Sequence, residues 1–312
     1  MEERISAIEA LIHVDVGRNI SALCAAAKGG LLSAATALAG ARHVGIITGF
    51  YVPRGTPPAA ETDGPVGAAL LLHGLAMVGI QGRLATDAPC APACAAALDA
   101  AGLPTPLDIV PLDTPLDATI ATWRAAGITH ALSIERCGRA ADGRPRNLVG
   151  LDISAHTAPL DDLFLAGPWD TLAIGDGGNE IGMGALPRGL IAADIANGEA
   201  IACATPANHL VVAGVSNWGA WALLAALAVL RPAWRDRLRA ALDPELDRAI
   251  LEATVHDGPA VDGISRLQAL SVDNLDLATH HRKLAAIRAA IGDAKLVSRA
   301  GSVSGVVCQK LS

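Results

Sequence analysis

Short runs of β-branched and other apolar residues alternate along this chain with longer runs rich in alanine and leucine, and this alternation restricts the fold more than any other feature. The longer runs predict helices at 65–78, 89–101, 116–126 and 218–230. The short runs predict strands at 43–48, 83–86, 107–110, 131–134, 172–175, 200–203 and 210–215. Because strand-helix-strand units cross over right-handedly, we expect an α/β fold: a doubly wound, mostly parallel sheet with helices on both faces.

The chain reads as one continuous unit, without a repeat or a low-complexity stretch. We expect a single α/β domain over residues 1–312, with a helical N-terminal segment at 1–42 and a core at 43–230. The remaining 231–312 is expected to be a helical C-terminal segment, helical over 232–291, followed by a tail. From residue 301 the tail reads as a glycine-serine loop and a short strand.

The net charge and the cysteine content indicate what kind of partner the protein binds and in which cellular compartment it resides. A formal net charge of −7 argues against nucleic acid as the partner, because phosphate binding relies on many lysines and arginines; we expect a small molecule instead. Six cysteines without a secretory leader indicate reduced thiols and a cytoplasmic protein. The apolar stretch 209–230 approaches the length of a membrane span, but Ser216, Asn217 and Gly219 interrupt it, so we expect a strand followed by a helix.

Polar residues collect directly after the predicted strands. In a doubly wound sheet the ligand lies beyond the carboxyl ends of the strands, where the following loops meet. Four such loops carry charged, amide or glycine residues, namely 49–65, which holds Glu61 and Asp63, the loop after Ile134 with Glu135, Arg136 and Arg139, the stretch 175–184, and 216–219 with Asn217. These loops are the predicted ligand site.

The decapeptide GDGGNEIGMG at 175–184 is the most informative of these loops. Its glycines, Gly177 and Gly178 among them, allow positive φ and let successive N–H groups face an anion, while Asp176 and Glu180 offer oxygen ligands. The alternative is a tight strand-to-helix turn in which Asp176 or Asn179 caps a helix.

Seven blocks resemble the D-glutamate cyclase C-terminal domain family. They occur in order over about 170 residues, as TGFYVP at 48–53, ETDGPVGA at 61–68, IERCGRAADG at 134–143, PLDDLFLA at 159–166, IGDGGNEIGMG at 174–184, IAC at 201–203 and VAGVSNWG at 212–219. Fused members of that family carry a further N-terminal module that resembles a hydro-lyase. The resemblance implies dehydration of D-glutamate to 5-oxo-D-proline, or the reverse reaction.

That chemistry requires an acid-base group, support for the leaving oxygen, an oxyanion donor and recognition of two carboxylates. We assign carboxylate recognition to Arg136 and Arg139. Glu61, Gly177 and Gly178 complete the substrate contacts, and Asn217 donates to the oxyanion. Asp176 and Glu180, with Asp63, are the acid-base or metal group. Oxygen ligands without histidine or thiolate favour Mg²⁺ or Mn²⁺, and no nucleotide cofactor is expected.

Other interpretations stay open from the sequence alone. Arg136 and Arg139 would equally suit an ion-pair network that holds their loop, and Asp63 and Asn217 would suit helix caps. The protein is alternatively a metal-dependent phosphoryl-transfer enzyme, since its glycine-rich turn resembles turns of that class. A third hypothesis is a non-catalytic domain that binds an acidic metabolite. Its partner would be a separately encoded hydro-lyase-like protein, or a second copy in a homo-oligomer.

Overall fold

The protein is built around a six-stranded parallel sheet, seen in a computed structural model that describes residues 1–113 and 115–292. The described residues form ten strands, whose bounds are β1 (His43–Thr48), β2 (Tyr51–Val52), β3 (Ala59–Ala60), β4 (Gln81–Asp87), β5 (Leu107–Val110), β6 (His130–Ile134), β7 (Asp170–Gly175), β8 (His209–Val212), β9 (Ser271–Val272) and β10 (Leu275–Asp276). Of these, β2-β3 and β9-β10 are separate two-stranded pairs. The sheet order is β5-β4-β1-β6-β7-β8, with every neighbouring pair parallel. The predicted doubly wound parallel sheet is confirmed, and its strand order reverses between β1 and β6.

Helices cover both faces of this sheet, as predicted. The helices are α1 (Glu2–Ile12), α2 (Ser21–Ala26), α3 (Gly30–Leu38), α4 (Pro65–Met77), α5 (Ala91–Ala100), α6 (Asp117–Ala125), α7 (Leu160–Leu165), α8 (Arg188–Asp194), α9 (Gly198–Ile201), α10 (Ser216–Leu230), α11 (Arg235–Ala241), α12 (Pro244–His256) and α13 (Leu277–Ala290). The core on one face of the sheet includes α1, α3, α4, α5 and α10 to α13, and the core on the other face includes α2 and α6 to α9.

The strands are apolar on both sides because each side meets a helix layer. In β1, Ile46 belongs to one core cluster and the adjacent Ile47 to the other. Close packing over the same strand explains Gly45, since a Cβ there would lie 2.3 Å from the Trp123 ring of α6. Helix α10 is buried along nearly its whole length between the sheet and its neighbouring helices. No helix in the described part of the chain has the length and apolar character to cross a membrane.

Two predicted elements are wrong. Residues 200–203 do not form a strand, because Asn197 in the left-handed region leads into α9 and the Cys203 N–H bonds to Gly178 O outside the sheet. The C-terminal segment is not helical throughout 232–291, since 257–276 is a loop that ends in the β9-β10 hairpin. Asp262 organises that loop by accepting four hydrogen bonds from within it. The predicted tail strand lies outside the described residues.

Candidate functional site

A cavity of about 210 Å³ lies where the loops after β1, β6 and β7 meet. The sheet order reverses between β1 and β6, and β7 lies next to β6; ligands bind at such a reversal point in sheets of this kind. Two further segments complete the cavity wall: Arg18 from the connection between α1 and α2, and residues of the 257–276 loop. The cavity therefore draws on parts of the chain that are far apart in sequence.

Three buried carboxylates converge beside this cavity. Asp63, Glu135 and Asp176 each offer an oxygen atom, and these oxygens lie within 4.8 Å of one another. None of the three residues is more than 6 % exposed. Asp63 and Asp176 belong to the predicted metal group, whereas the third member is Glu135 rather than Glu180. Three carboxylate oxygens at this spacing could hold one hard cation such as Mg²⁺ or Mn²⁺.

Two helix N-termini face each other at this cluster and cap one another. Asp63, just before α4, accepts hydrogen bonds from the N–H groups of Ser216 and Asn217 at the start of α10, at 2.9 and 2.8 Å. In return, the Asn217 side-chain oxygen accepts from Gly64 and Gly67 N–H at the start of α4, at 3.0 and 2.7 Å. The positive ends of both helix dipoles thus lie close to the acidic cluster and favour negative charge there.

This capping accounts for the whole side chain of Asn217, whose amide nitrogen donates to Thr62 O at 3.3 Å. The helix-capping interpretation therefore describes Asn217 as the structure places it. Both ends of its amide are hydrogen bonded, and the side chain does not line the cavity where an oxyanion donor was expected. Glu61 does line the cavity, next to Gly263, where an added Cβ would lie 2.0 Å from a Glu61 carboxylate oxygen.

Arg18 is the counter-ion of the cluster. Its guanidinium pairs with Asp176 at 2.6 Å and with Asp273 at 2.5 Å, and it donates to Gly214 O at 3.2 Å. The other oxygen of Asp273, Oδ2, is buried and accepts no hydrogen bond from any described residue. One arginine thus faces at least four buried carboxylates, those of Asp63, Glu135, Asp176 and Asp273.

Burial, together with this excess of negative charge, raises the pKa values of the cluster. Burial, reinforced by the charge of Asp273, raises the pKa of Asp63 to about 7. Burial also raises the pKa of Asp176 well above its ordinary value, although Arg18 opposes the shift. The pKa values of Glu61 and Glu135 are raised in the same way, by burial first and then by neighbouring carboxylates. Like charges resist joint ionisation, so the cluster favours bound protons or a bound cation.

The glycine-rich turn after β7 closes on itself. The Glu180 carboxylate accepts hydrogen bonds from the N–H groups of Asp176, Gly177 and Gly178, at 3.2, 2.6 and 2.8 Å. The N–H groups of Gly177 and Gly178, expected to face a substrate anion, are thus occupied by Glu180 from the same turn. Glu180 still lines the cavity, but its hydrogen bonds fix the shape of the turn that presents Asp176.

The two arginines expected to recognise carboxylates lie elsewhere, so the ion-pair alternative describes them. Arg136 is 1 % exposed, pairs with Asp87 at 2.6 Å and donates to the carbonyls of Gly49 and Ala158. Arg139 pairs with Asp161 and Asp162. Neither lines the cavity. The structure thus places both guanidiniums in ion pairs with aspartates outside this cavity.

The arginines that do line the cavity are Arg18, Arg54 and Arg266. Sequence reasoning missed all three, together with Asp273. Arg18, Arg266 and Asp273 belong to segments that follow no strand of the six-stranded sheet, whereas Arg54 lies in the predicted 49–65 loop after β1 but was not singled out there. Glu135 was missed as a ligand although a signal existed. It follows β6 directly, at the same sheet edge as Asp176. It adopts a φ of +44°, uncommon for a non-glycine residue, and accepts a 2.6 Å hydrogen bond from the Ser216 hydroxyl.

The fold and the cavity define an α/β protein with a small, acid-lined cavity at the switch point of a doubly wound sheet. Comparison with known proteins specifies the family. The chain belongs to the D-glutamate cyclase-like C-terminal family, whose model matches residues 8–288. It is also 35 % identical over 244 residues to the mitochondrial D-glutamate cyclase of Homo sapiens. That alignment covers 73 % of this chain and 39 % of the human protein, so the chain spans well under half of that relative.

Proposed function

We propose that the protein is a D-glutamate cyclase-like lyase, which interconverts D-glutamate and 5-oxo-D-proline plus water in the cavity at the switch point. The observation that carries the proposal is the cluster of Asp63, Glu135 and Asp176, buried at the edge of a cavity that also presents arginines. A substrate with one ammonium and two carboxylate groups matches such a mixed lining. Membership of the family and the likeness to the human relative support the same reaction.

The cluster fits a divalent cation by its chemistry. Its ligand atoms are hard carboxylate oxygens, and the buried Asp273 Oδ2 and Thr48 Oγ1 hydrogen bond to no described residue. Mg²⁺ or Mn²⁺, held by Asp63, Glu135 and Asp176, would supply positive charge to stabilise the oxyanion of the tetrahedral intermediate. It would also relieve the repulsion that raises the pKa values of these groups.

The protein's own residues handle the protons. In the forward direction the substrate amine attacks the γ-carboxyl carbon, a nitrogen–carbon bond forms, and a carbon–oxygen bond breaks. Both protons of the departing water come from the substrate ammonium group, so the enzyme has only to relay them. Glu61 suits this relay because it lines the cavity and because burial raises its pKa well above its ordinary value, so that its carboxyl group binds a proton more readily than an exposed one.

Chromatography tests the proposal directly. Purified protein is incubated with D-glutamate or with 5-oxo-D-proline, with and without Mn²⁺, and both compounds are quantified. We expect interconversion that Asp176→Asn abolishes and that the matched variant Asp257→Asn, an exposed aspartate outside the cavity, leaves intact. Hydrolysis of a generic phosphate ester without interconversion would instead identify a phosphoryl-transfer enzyme. Ligand binding seen by thermal shift, without turnover of either compound, would identify a binding domain.

A further inference from the structure

Two of the arginines that line the cavity differ from the third, Arg18. Arg54 and Arg266 both line the cavity and are exposed at its rim. Neither guanidinium makes an ion pair or a side-chain hydrogen bond with any residue in 1–113 or 115–292. Arg18, by contrast, is engaged by Asp176 and Asp273. The rim therefore carries two positive charges that are available to a ligand.

The loops that carry these arginines are hydrogen bonded to each other. Thr56 N–H donates to Arg266 O at 2.8 Å, and Thr62 N–H donates to Val261 O at 2.9 Å. The Arg266 loop is in turn closed by its own N–H bond to Asp262 O at 2.8 Å. Arg266 has a φ of +63°, a conformation that is strained for a non-glycine residue and is maintained by the surrounding bonds. Both arginines thus lie on hydrogen-bonded loops that form one wall of the cavity.

The cavity is polarised from floor to rim. Buried carboxylates, among them Glu135 and Asp176, lie on its floor, and the exposed guanidiniums of Arg54 and Arg266, which pair with no described side chain, lie at its rim. A carboxylate is repelled by the floor unless a cation is bound there, whereas guanidinium forks at the rim attract it and bind it through paired hydrogen bonds. A volume of about 210 Å³ suits a small metabolite, whose two ends would contact both regions.

We propose that Arg54 and Arg266 form the subsite for the substrate carboxylate that takes no part in the reaction. The inference rests on the proposed function, in which the γ-carboxyl group reacts over the acidic floor. The α-carboxylate is retained unchanged in 5-oxo-D-proline and is left for the rim. The subsite thus recognises a feature common to substrate and product, and it orients the amine and the γ-carboxyl group towards the floor.

Binding measurements test this assignment without requiring turnover. Isothermal titration calorimetry on the full chain compares 5-oxo-D-proline with 2-pyrrolidinone, the same ring without its carboxylate, and adds glutarate as a plain dicarboxylate probe. We expect 5-oxo-D-proline and glutarate to bind wild-type protein at least about tenfold more tightly than 2-pyrrolidinone, because charge-assisted hydrogen bonds are lost with the carboxylate. Arg54→Gln and Arg266→Gln should each weaken glutarate binding about tenfold.

The control is Arg42→Gln, an exposed arginine that lies just before β1 at the opposite end of the strand and should not alter binding. Where turnover is measurable, the rim variants should raise KM more than they lower kcat. Unchanged glutarate and 5-oxo-D-proline binding in both rim variants would overturn the assignment, and so would equal binding of 2-pyrrolidinone. Arginine-dependent glutarate binding, with neither turnover nor binding of 5-oxo-D-proline, would preserve the carboxylate subsite and overturn the proposed function.

Discussion

A divalent cation bound by the acidic cluster should raise the free energy of unfolding of this protein. At a free Mn²⁺ concentration 100 times the Kd, a ligand that binds only the folded state adds about 2.7 kcal/mol to the free energy of unfolding. For a chain of this size that corresponds to a rise in Tm of about 4 °C. Because burial and Asp273 raise the pKa of Asp63 to about 7, a proton competes with the cation at this group. The apparent affinity should therefore be about tenfold weaker at pH 6 than at pH 8.

Thermal unfolding of metal-free protein, with added Mn²⁺, Mg²⁺ or a chelator at both pH values, measures these effects. Glu135→Gln preserves the shape of its side chain and should remove most of the rise in Tm. Asp257→Asn, exposed at the end of α12, should retain it. The reasoning is refuted if wild-type Tm does not respond to either cation at pH 8, or if Glu135→Gln responds as fully as the wild type.

Three further outcomes follow from the same geometry. In chelator, the raised pKa of Asp63 means that its contribution to stability is complete below about pH 4 and is lost as the pH rises through about 7, so Tm should fall over that window. Arg136→Met leaves Asp87 buried and unpaired, and chemical denaturation should show a loss of about 3 to 5 kcal/mol with cation affinity unchanged. Asn217→Ala leaves the buried Gly67 N–H without an acceptor and should cost about 1 to 3 kcal/mol in the same assay, whereas an unaltered unfolding midpoint would contradict the capping role.

The fold was predictable because it depends on local patterns. Alternating apolar runs indicated a parallel sheet with helices on both faces, and the boundaries of β1 and β5 match the prediction residue for residue. The prediction failed at 200–203, where Asn197 in the left-handed region leads into α9, and at 257–276, where a side chain rather than hydrophobic periodicity organises the backbone. In the second segment the Asp262 carboxylate shapes the loop through hydrogen bonds that no local sequence pattern predicts.

The same distinction between local sequence pattern and tertiary contacts applies to the residues of the site. Position after a strand is a property of the sequence, and it correctly brought Glu61, Asp63 and Asp176 to one sheet edge. The direction of a side chain is decided by packing: Arg136 follows the same strand as Glu135, yet its guanidinium is buried against Asp87. Residues such as Arg18 and Arg266 reach the cavity only because distant segments dock onto the sheet, and such long-range contacts are encoded by the whole core rather than by any stretch of neighbouring residues.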